Sequence, residues 1–269
     1  MRTFWYAALL MIPLLSESGS LLAQTAKAYY CPFCGKDCDT IAYTAPGKCP
    51  GCGMDLVLES RQAHAKADTV KRFKVLFYLQ DGVEVLDFAG PMEVFSYAGF
   101  DVAVVSRTKD PIVSQGILKI IPDYSIDDAP PADILAFFGG NAGAAANDSL
   151  VVRWLKGMTV PDYYFSVCTG AFIMGKAGLL NDLTVTTFHE SLENLQKAVP
   201  SAKVLKGVRF VDNGRVITTA GISAGIDGAL HLVEKIRGRE AAAQIAAYME
   251  YDKWVPAQGL VIQTAQGTR

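Results

Sequence analysis

From Phe73 onward, apolar runs of strand length alternate with segments of helical periodicity. Five short runs rich in β-branched and aromatic residues have the composition of buried strands, and six amphipathic stretches lie between or after them. The expected strands are 73–79, 101–106, 133–138, 163–167 and 216–219, and the expected helices are 91–98, 150–158, 171–179, 190–198, 224–236 and 240–251. This alternation predicts an α/β three-layer sandwich, in which helices cover both faces of a mainly parallel sheet.

The expected strand at 163–167 ends in Cys168-Thr169-Gly170 and passes straight into a helix. A reactive residue on a tight strand-to-helix turn, with small neighbours, is the pattern of a nucleophile elbow. A thiol at a helix N-terminus is expected to have a lowered pKa and a larger thiolate fraction. The alternative is a buried, inert cysteine, because free cysteines are commonly buried. We favour a nucleophile, since strand, turn and helix occur together.

Two other strand ends should face this thiol, because ligands of parallel sheets bind beyond the carboxyl ends of the strands. The first strand leads to Asp87, which would carry a proton or hold the thiol by a hydrogen bond. A helix cap is an equally good interpretation of Asp87, since Pro91 suits the first turn of a helix. The third strand stops at Gly139-Gly140-Asn141. The Thr169 amide and one from Gly140 or Asn141 would form an oxyanion hole.

Five of the six cysteines lie in a short segment in front of this domain. The pairs Cys31/Cys34 and Cys49/Cys52 each have Cys-x-x-Cys spacing and are 14 residues apart, so the four sulfurs can converge on one tetrahedral ion. Zinc is the default ion for four thiolates. Disulfides are the alternative, but five cysteines would leave one unpaired. In the metal interpretation, Cys38 is a spare thiol whose role the sequence leaves open.

The first residues have the pattern of a secretory signal peptide. Arg2 precedes an apolar run over 4–15, and small and polar residues follow, with cleavage expected after Ala23 or Ala28. The run is too short for a membrane span, which needs about 20 residues. We therefore expect a periplasmic or secreted protein with no stable membrane span. The expected organisation is a signal peptide at 1–28, a metal-binding module at 29–58, a linker at 59–71, the main domain at 72–256 and a tail at 257–269.

Charge argues against nucleic acid as a partner. The formal net charge is −2, positive and negative residues are intermixed, and no basic run occurs. A small-molecule substrate or ligand is the expected partner.

Several motifs of the main domain resemble the ThiJ/PfpI superfamily. They are Leu-Asp-Phe-Ala-Gly-Pro-Met-Glu-Val-Phe at 86–95, Phe-Gly-Gly at 138–140, Ser-Val-Cys-Thr-Gly-Ala at 166–171 and Thr-Ala-Gly-Ile-Ser-Ala-Gly-Ile-Asp at 219–227. Within it they match the branch containing isonitrile hydratase and the amidotransferase-like domains of some AraC-type regulators. The resemblance implies a flavodoxin-like fold, a homodimer, and Cys168 as nucleophile with Asp87 as acid/base partner and Thr169 as assistant.

The sequence also departs from related branches. The protease-like and deglycase-like branches have His directly after the cysteine, where this chain has Thr169, so peptidase and deglycase activities are not expected. Near Thr187, isonitrile hydratase has His-Trp where this chain has Phe188-His189. His189 would either line the pocket or face solvent.

The run Pro-Gly-Lys-Cys-Pro-Gly-Cys-Gly-Met at 46–54, with Tyr-Cys-Pro before it, resembles the bacterial heavy-metal-binding domain. Many members carry His where this chain has Cys34, and the cysteine favours a softer ion. The resemblance implies metal binding.

Two functions are compatible with these features. The first is a cysteine-dependent hydratase or amidase-type enzyme that acts on a small molecule with a carbon–nitrogen multiple bond or an amide. The second is a non-catalytic protein that binds or senses a ligand, a metal or redox stress. The cysteine chemistry itself needs no cofactor.

Overall fold

The computed structural model describes residues 27–31, 38, 41–60 and 71–262 of the chain. The proposed signal peptide lies almost wholly outside the described residues, as does Cys34. The strands are β1 (Lys27–Tyr30), β2 (Val57–Ser60), β3 (Lys74–Tyr78), β4 (Asp101–Ser106), β5 (Ile112–Ser114), β6 (Leu118–Ile120), β7 (Tyr124–Ser125), β8 (Ile134–Phe137), β9 (Tyr163–Val167), β10 (Thr184–Val185), β11 (Lys203–Val204), β12 (Phe210–Asp212), β13 (Val216–Thr219) and β14 (Leu260–Val261). The α-helices are α1 (Val85–Tyr97), α2 (Ala142–Asn147), α3 (Ser149–Gly157), α4 (Ala171–Lys176), α5 (Leu192–Ala198), α6 (Ala224–Arg237) and α7 (Arg239–Tyr248).

Eight strands form the central sheet, in the order β14-β12-β13-β9-β8-β3-β4-β7. Every neighbouring pair is parallel except β12–β13, which is antiparallel. β1 and β2 form a separate antiparallel pair within the front module. The predicted α/β architecture with a mainly parallel sheet and a small cysteine-rich module in front is confirmed.

Apolar side chains on both faces of the sheet explain the three layers. Phe77, Phe138 and Phe165 are fully buried against α1, α6 and α7, while Tyr78 and Phe137 pack on the opposite face with α2 to α5. Burial of a side chain of this size stabilises the fold by about 1.5–3 kcal/mol. Because both faces are covered, the strands are continuous apolar runs, as the sequence shows.

The chain order places a crevice between β3 and β8. The chain leaves β3 into α1 on one face of the sheet and leaves β8 into α2 on the other, while the two strands are parallel neighbours. Helices that depart to opposite faces open a gap at the carboxyl ends of such strands, and ligands bind in gaps of this kind.

The structure corrects four expected boundaries. α1 begins at Val85, so Pro91 lies inside the helix and not in its first turn. The Val85 amide donates to Gln115 Oε1 at 3.2 Å, and this distant cap explains the early start. The expected loop after β8 contains α2, the strand β2 extends into the expected linker, and β14 pairs with β12 within the expected C-terminal tail.

None of the helices in the described ranges combines the length and the apolar character that a membrane span requires.

Candidate functional site

Cys168 stands on a strained turn between β9 and α4. Its φ is +58°, in the left-handed region that costs a non-glycine residue about 1–2 kcal/mol. Two hydrogen bonds hold this conformation: the Cys168 amide donates to the Ala220 carbonyl at 3.1 Å, and Thr187 Oγ1 donates to the Cys168 carbonyl at 2.6 Å. A strained residue held in this way is typical of a nucleophile elbow.

Asp87 lies in the first turn of α1 and is fully buried. Its Oδ2 accepts a hydrogen bond from the Gly139 amide at 2.8 Å, and its Oδ1 accepts one from the Ile222 amide at 2.9 Å. Burial raises the pKa of this carboxyl to about 6, although both amides act in the opposite direction. Asp87 is therefore a buried carboxylate whose two oxygens are both held by backbone amides.

The thiol of Cys168 lies beside the Asp87 carboxylate, since both Sγ and Asp87 Oδ2 are within 3 Å of the point where a Cβ on Gly139 would stand, and Cys168 as a whole is 6% exposed. Burial, and after it the charge of Asp87, raises the pKa of the thiol to about 12. The expectation of a lowered pKa is therefore wrong. The Thr169 amide does lower this pKa, but α4 has only six residues and its dipole is correspondingly weak. At neutral pH the proton stays on sulfur and the carboxylate is ionised, so Asp87 is placed to accept the thiol proton.

Gly139 lets the carboxylate and the thiol meet. A Cβ at this position would lie 2.6 Å from Asp87 Oδ2 and 2.7 Å from Cys168 Cβ, closer than real Cβ contacts. The structure therefore brings together three of the predicted strand-end residues, Cys168, Asp87 and Gly139.

The expected oxyanion hole is only partly available. The Asn141 amide donates to the Gly82 carbonyl at 3.0 Å, and the Gly139 amide is held by Asp87, so neither can bind an oxyanion. Gly140 has φ +81°, and within the described part of the chain no hydrogen bond occupies its amide. The Thr169 amide faces the thiol, and Thr169 Oγ1 donates a long 3.5 Å bond to the Gly140 carbonyl. Gly140 and Thr169 are the remaining candidates.

His189 does not line the pocket. Its side chain is 73% exposed, with Nε2 3.8 Å from Glu190, so the solvent-facing alternative describes the structure. Phe188 is the residue of this pair that packs against the core cluster containing Cys168. Both orientations were expected equally, because a histidine at the start of a helix can face either the pocket or solvent.

Two further residues shape the site and were missed. Gln80 is the second residue after β3, is buried, and donates through Nε2 to the carbonyls of Phe138 (3.1 Å) and Gly139 (2.9 Å). Ile222 has φ +56°, which turns its amide toward Asp87. The sequence could have indicated a role for Gln80, because it is a polar residue at the end of a buried apolar strand. Ile222 lies within the motif at 219–227, but nothing in that motif indicates that its amide bonds to Asp87, 135 residues away in sequence.

A second candidate site lies in the front module. The Sγ atoms of Cys31, Cys38, Cys49 and Cys52 all lie within 4.8 Å of one another, and Cys31 Sγ is 3.1 Å from Cys52 Sγ. A disulfide would need about 2.05 Å. Zinc–sulfur bonds of about 2.3 Å in a tetrahedron separate the sulfurs by about 3.8 Å. The cluster therefore fits a tetrahedral thiolate site for a metal ion.

The described part of this cluster contains three of the four expected ligands and one cysteine that was expected to be spare. Cys38, expected to be a spare thiol, supplies the fourth sulfur among the described residues, whereas Cys34 lies outside them. Gly51 makes room for Cys38, because a Cβ at 51 would lie 2.9 Å from Cys38 Cβ and 3.1 Å from its Sγ. Cys-x-x-Cys spacing alone does not show that Cys38, outside both pairs, joins the cluster.

A contact between described residues joins the module to the main domain. Tyr248 on α7 donates its hydroxyl to Met54 Sδ at 3.4 Å, and the Tyr248 ring packs edge-on against Tyr97 at 4.7 Å. Tyr97 is the last residue of α1, the helix whose first turn carries Asp87.

Comparison with known proteins gives two family matches. The model of the DJ-1/PfpI family matches residues 73–235, and that of the heavy metal binding domain matches residues 28–58. Isonitrile hydratase from Pseudomonas putida is 32% identical over 181 residues, covering 65% of this chain and 77% of the hydratase. The HTH-type transcriptional regulator GbdR from Pseudomonas aeruginosa is 29% identical over 137 residues, 51% of this chain but only 37% of the regulator. A THiJ/PfpI family protein from Pseudomonas syringae superposes with a TM-score of 0.64 at 27% identity, covering 70% of this chain and 78% of the neighbour.

Proposed function

Because the chain belongs to the DJ-1/PfpI family, we propose that its Cys168 pocket is catalytic and hydrates a small molecule with a carbon–nitrogen multiple bond, or hydrolyses a small amide. The observation that carries this proposal is the position of the Cys168 thiol beside the buried Asp87 carboxylate, with Gly139 between them. An inert buried thiol has no need of an ionised partner, which burial makes costly. The similarity to isonitrile hydratase supports an isonitrile as the first substrate to test.

In the first step the sulfur attacks the terminal isonitrile carbon while Asp87 accepts the thiol proton. Because the carboxyl has a pKa of about 6 and the thiol one of about 12, this transfer is unfavourable until the new S–C bond removes charge from sulfur. The carboxylic acid then returns the proton to the same carbon. The product is a thioimidate, Cys168–S–CH=N–R, and Asp87 is again a carboxylate.

In the second step water adds to the thioimidate carbon, and Asp87 is placed to take one of its protons and to pass it to the nitrogen. The resulting tetrahedral adduct carries a hydroxyl, the amine nitrogen and sulfur on one carbon. Its collapse breaks the C–S bond, forms the carbonyl of an N-substituted formamide and returns a proton to the sulfur. The amides of Gly140 and Thr169 are placed to stabilise charge that develops at the adduct.

The test is turnover of a small isonitrile to its formamide, followed by NMR. We expect turnover by wild type and a loss of at least about 1,000-fold in kcat/KM for Cys168→Ala and for Asp87→Asn. His189→Ala is the matched control, because its side chain is exposed and should leave the rate unchanged. Benzonitrile and benzamide extend the test to the other substrate classes. Equal rates for wild type and Cys168→Ala would refute the catalytic role of the thiol.

A second candidate function is sensing without turnover. The contact of Met54 with Tyr248 favours it, since it connects the cysteine cluster to α7 and, through Tyr97, to α1. The similarity to a transcriptional regulator also supports a non-catalytic role. This alternative requires saturable ligand binding by a protein that converts no isonitrile, nitrile or amide, with no covalent adduct on Cys168 in intact-mass spectra.

For the front module we propose a tetrahedral zinc site. Zinc suits four thiolates, and its bonds would supply much of the folding free energy of a segment this small. Titration with Co²⁺ tests the site, because tetrahedral thiolate coordination gives intense visible absorption. We expect one ion per chain and displacement of Co²⁺ by Zn²⁺. A Co²⁺ spectrum typical of octahedral coordination would refute the tetrahedral thiolate site.

We further propose that residues 1–28 direct export to the periplasm or the exterior. Arg2, the apolar run over 4–15 and the small residues around Ala23 and Ala28 support this proposal. Expression of the full chain in a Gram-negative host, followed by fractionation and N-terminal mass analysis, tests it. Recovery of a chain that begins at Met1 from the cytoplasm would refute it.

A homodimer is the remaining proposal, made from the family resemblance. Ile117 and Ile121 lie directly before and after β6 and are 80% and 76% exposed. Exposed apolar side chains of this kind are compatible with an interface. Light scattering after size exclusion should give twice the chain mass, and a monomer at micromolar concentration would contradict the proposal.

A further inference from the structure

The turn at residues 220–223 lies against the Cys168 thiol and supports the Asp87 carboxylate. A Cβ on Gly221 would lie 3.4 Å from Cys168 Sγ, and the Ile222 amide donates to Asp87 Oδ1 at 2.9 Å. This hydrogen bond favours the ionised form of Asp87 and lowers its pKa, although burial has the larger effect and raises it. The conformation of the turn therefore affects both the position and the charge state of Asp87.

Ile222 has a backbone conformation that its own side chain does not favour. Its φ of +56° is an outlier for a β-branched residue and costs about 1–2 kcal/mol. Ile222 is also 39% exposed, so packing in the core does not fix it. The amides of Ala224 and Gly225 close the turn with bonds of 3.2 Å, but both belong to the start of α6. A strained residue persists only where its surroundings hold it, so contacts with other elements are needed.

Arg209 supplies such contacts at both ends of the turn. Its carbonyl accepts a hydrogen bond from the Ala220 amide at 2.9 Å, and its Nη2 donates to Ser223 Oγ at 3.2 Å. Ser223 directly precedes α6, yet its side chain does not cap that helix. The hydroxyl of Ser223 therefore serves to connect the turn with Arg209.

The guanidinium of Arg209 is itself fixed by a buried ion pair. Its Nε donates to Asp227 Oδ2 at 2.7 Å, and its Nη2 bonds to the same oxygen. Asp227 lies in the first turn of α6 and is buried, and its Oδ1 accepts a hydrogen bond from the Tyr251 hydroxyl at 3.2 Å. Breaking a buried ion pair is costly, so the guanidinium has little freedom to leave Ser223.

We propose that Arg209 is a positioning residue of the Cys168 site: through Ser223 it holds the turn whose Ile222 amide keeps Asp87 beside the thiol. Within the described part of the chain, none of the hydrogen bonds of Arg209 reaches Asp87 or Cys168. Glu84 and Cys168 are the titratable groups that act on Asp87 directly. The consequence for the rate rests on the function proposed above, whereas the consequence for Asp87 does not.

The test measures the ionisation of Asp87 by NMR in the full chain, with ¹³C in the aspartate carboxyl groups. The resonance of Asp87 is identified by its absence from Asp87→Asn. A looser turn weakens the Ile222 bond, which should raise the pKa of Asp87. We expect its acid dissociation constant to fall about tenfold in Arg209→Gln and about threefold in Ser223→Ala.

Arg107→Gln is the matched control. The Arg107 side chain is 37% exposed and paired with Asp148, and that of Arg209 is 34% exposed and paired with Asp227. No described hydrogen bond links Arg107 to the turn at 220–223, so the pKa of Asp87 should be unchanged in this variant.

Two results would overturn the proposal. The first is a wild-type dissociation constant of Asp87 in both Ser223→Ala and a folded Arg209→Gln. The second is a change in Arg209→Gln alone, which would show that the guanidinium acts through its charge and not through the turn. Arg209→Gln leaves Asp227 buried without its cation, so Ser223→Ala, which keeps the ion pair, decides the question if Arg209→Gln does not fold.

Turnover gives a second and separate measurement. If the wild type converts an isonitrile, kcat should fall about tenfold in Arg209→Gln with KM within about twofold, because Asp87 is less well placed. The acidic limb of the pH profile of kcat should move to higher pH, since Asp87 must be ionised to accept the thiol proton. An absence of turnover in the wild type would refute the proposed function and would leave the NMR result as the measure of the role of Arg209.

Discussion

Asp87→Asn should change how stability depends on pH, because Asp87 is a carboxylate that the fold buries at a cost. Its folded pKa is about 6, raised from 3.8 chiefly by burial. The cost is absent below about pH 3.8, grows as the pH rises and is complete above about pH 6, so this carboxyl makes the protein less stable at neutral pH. Asparagine carries no charge and removes the cost.

The magnitude follows from the shift. A difference of 2.2 pH units between 3.8 and about 6 corresponds to about 3 kcal/mol at about 1.4 kcal/mol per unit. Asparagine keeps only one acceptor oxygen, so either the Gly139 or the Ile222 amide loses its bond, at about 1–3 kcal/mol. That loss does not depend on pH. The free energy of unfolding of the variant minus that of wild type should therefore rise by about 2 kcal/mol between about pH 4.5 and about pH 7.5.

Urea unfolding monitored by tryptophan fluorescence, at several pH values below about 8, measures this difference. The upper limit keeps the Cys168 thiol protonated in both proteins, since its pKa is about 12. Asp110→Asn is the control, because Asp110 is an exposed carboxylate and its variant should follow the wild-type curve. A difference that stays constant with pH, or that falls as the pH rises, would show that Asp87 is not a buried carboxylate of raised pKa.

Three other predictions test the rest of the site. Iodoacetamide should label Cys168 slowly at about pH 7.5, since a pKa of about 12 leaves on the order of 10⁻⁵ of it as thiolate. Asp87→Asn should speed labelling about tenfold by removing the charge that raises this pKa, and an unchanged rate would contradict the pairing. Gly139→Ala should lower kcat at least about 100-fold, because its methyl would lie 2.6 Å from Asp87 Oδ2, whereas Gly143→Ala, with no atom within 4 Å of its Cβ, should keep the wild-type rate. Cys38→Ser should weaken Co²⁺ binding at least about 100-fold in competition with a chelator, and wild-type affinity would exclude Cys38 as a ligand.

Short sequence patterns predicted the three layers of the sandwich and the position of the candidate site. Strand-length apolar runs identified β3, β4, β8, β9 and β13, and parallel strands bring their carboxyl ends to one edge of the sheet. This was sufficient to anticipate that Cys168, Asp87 and the Gly139 loop would meet. Their juxtaposition depends on topology, which the alternation of strands and helices constrains strongly.

What the sequence left open depends on groups far apart along the chain. The start of α1 is set by a cap from Gln115, and one oxygen of Asp87 is held by the Ile222 amide. The predicted direction of the Cys168 pKa shift was wrong. The sequence indicates a helix N-terminus after the thiol, but it does not show that the thiol is buried or that it lies beside the charge of Asp87. The place of Cys38 in the cluster has the same origin, since it depends on the close approach of Cys38 to Gly51, which the spacing of the cysteines does not show.

The pairing of β14 with β12 sets a limit on how the main domain can be shortened. Leu260 and Val261 lie beside Val211 and Asp212, and the Ile262 amide donates to the Asp212 carbonyl at 2.8 Å. A chain that stopped at residue 256, where the domain was expected to end, would leave the backbone of β12 open to any extended peptide. Open edges of this kind recruit neighbouring molecules and promote aggregation. β14 therefore covers the edge of β12. We expect a protein truncated before it to aggregate while its hydrophobic core is still folded.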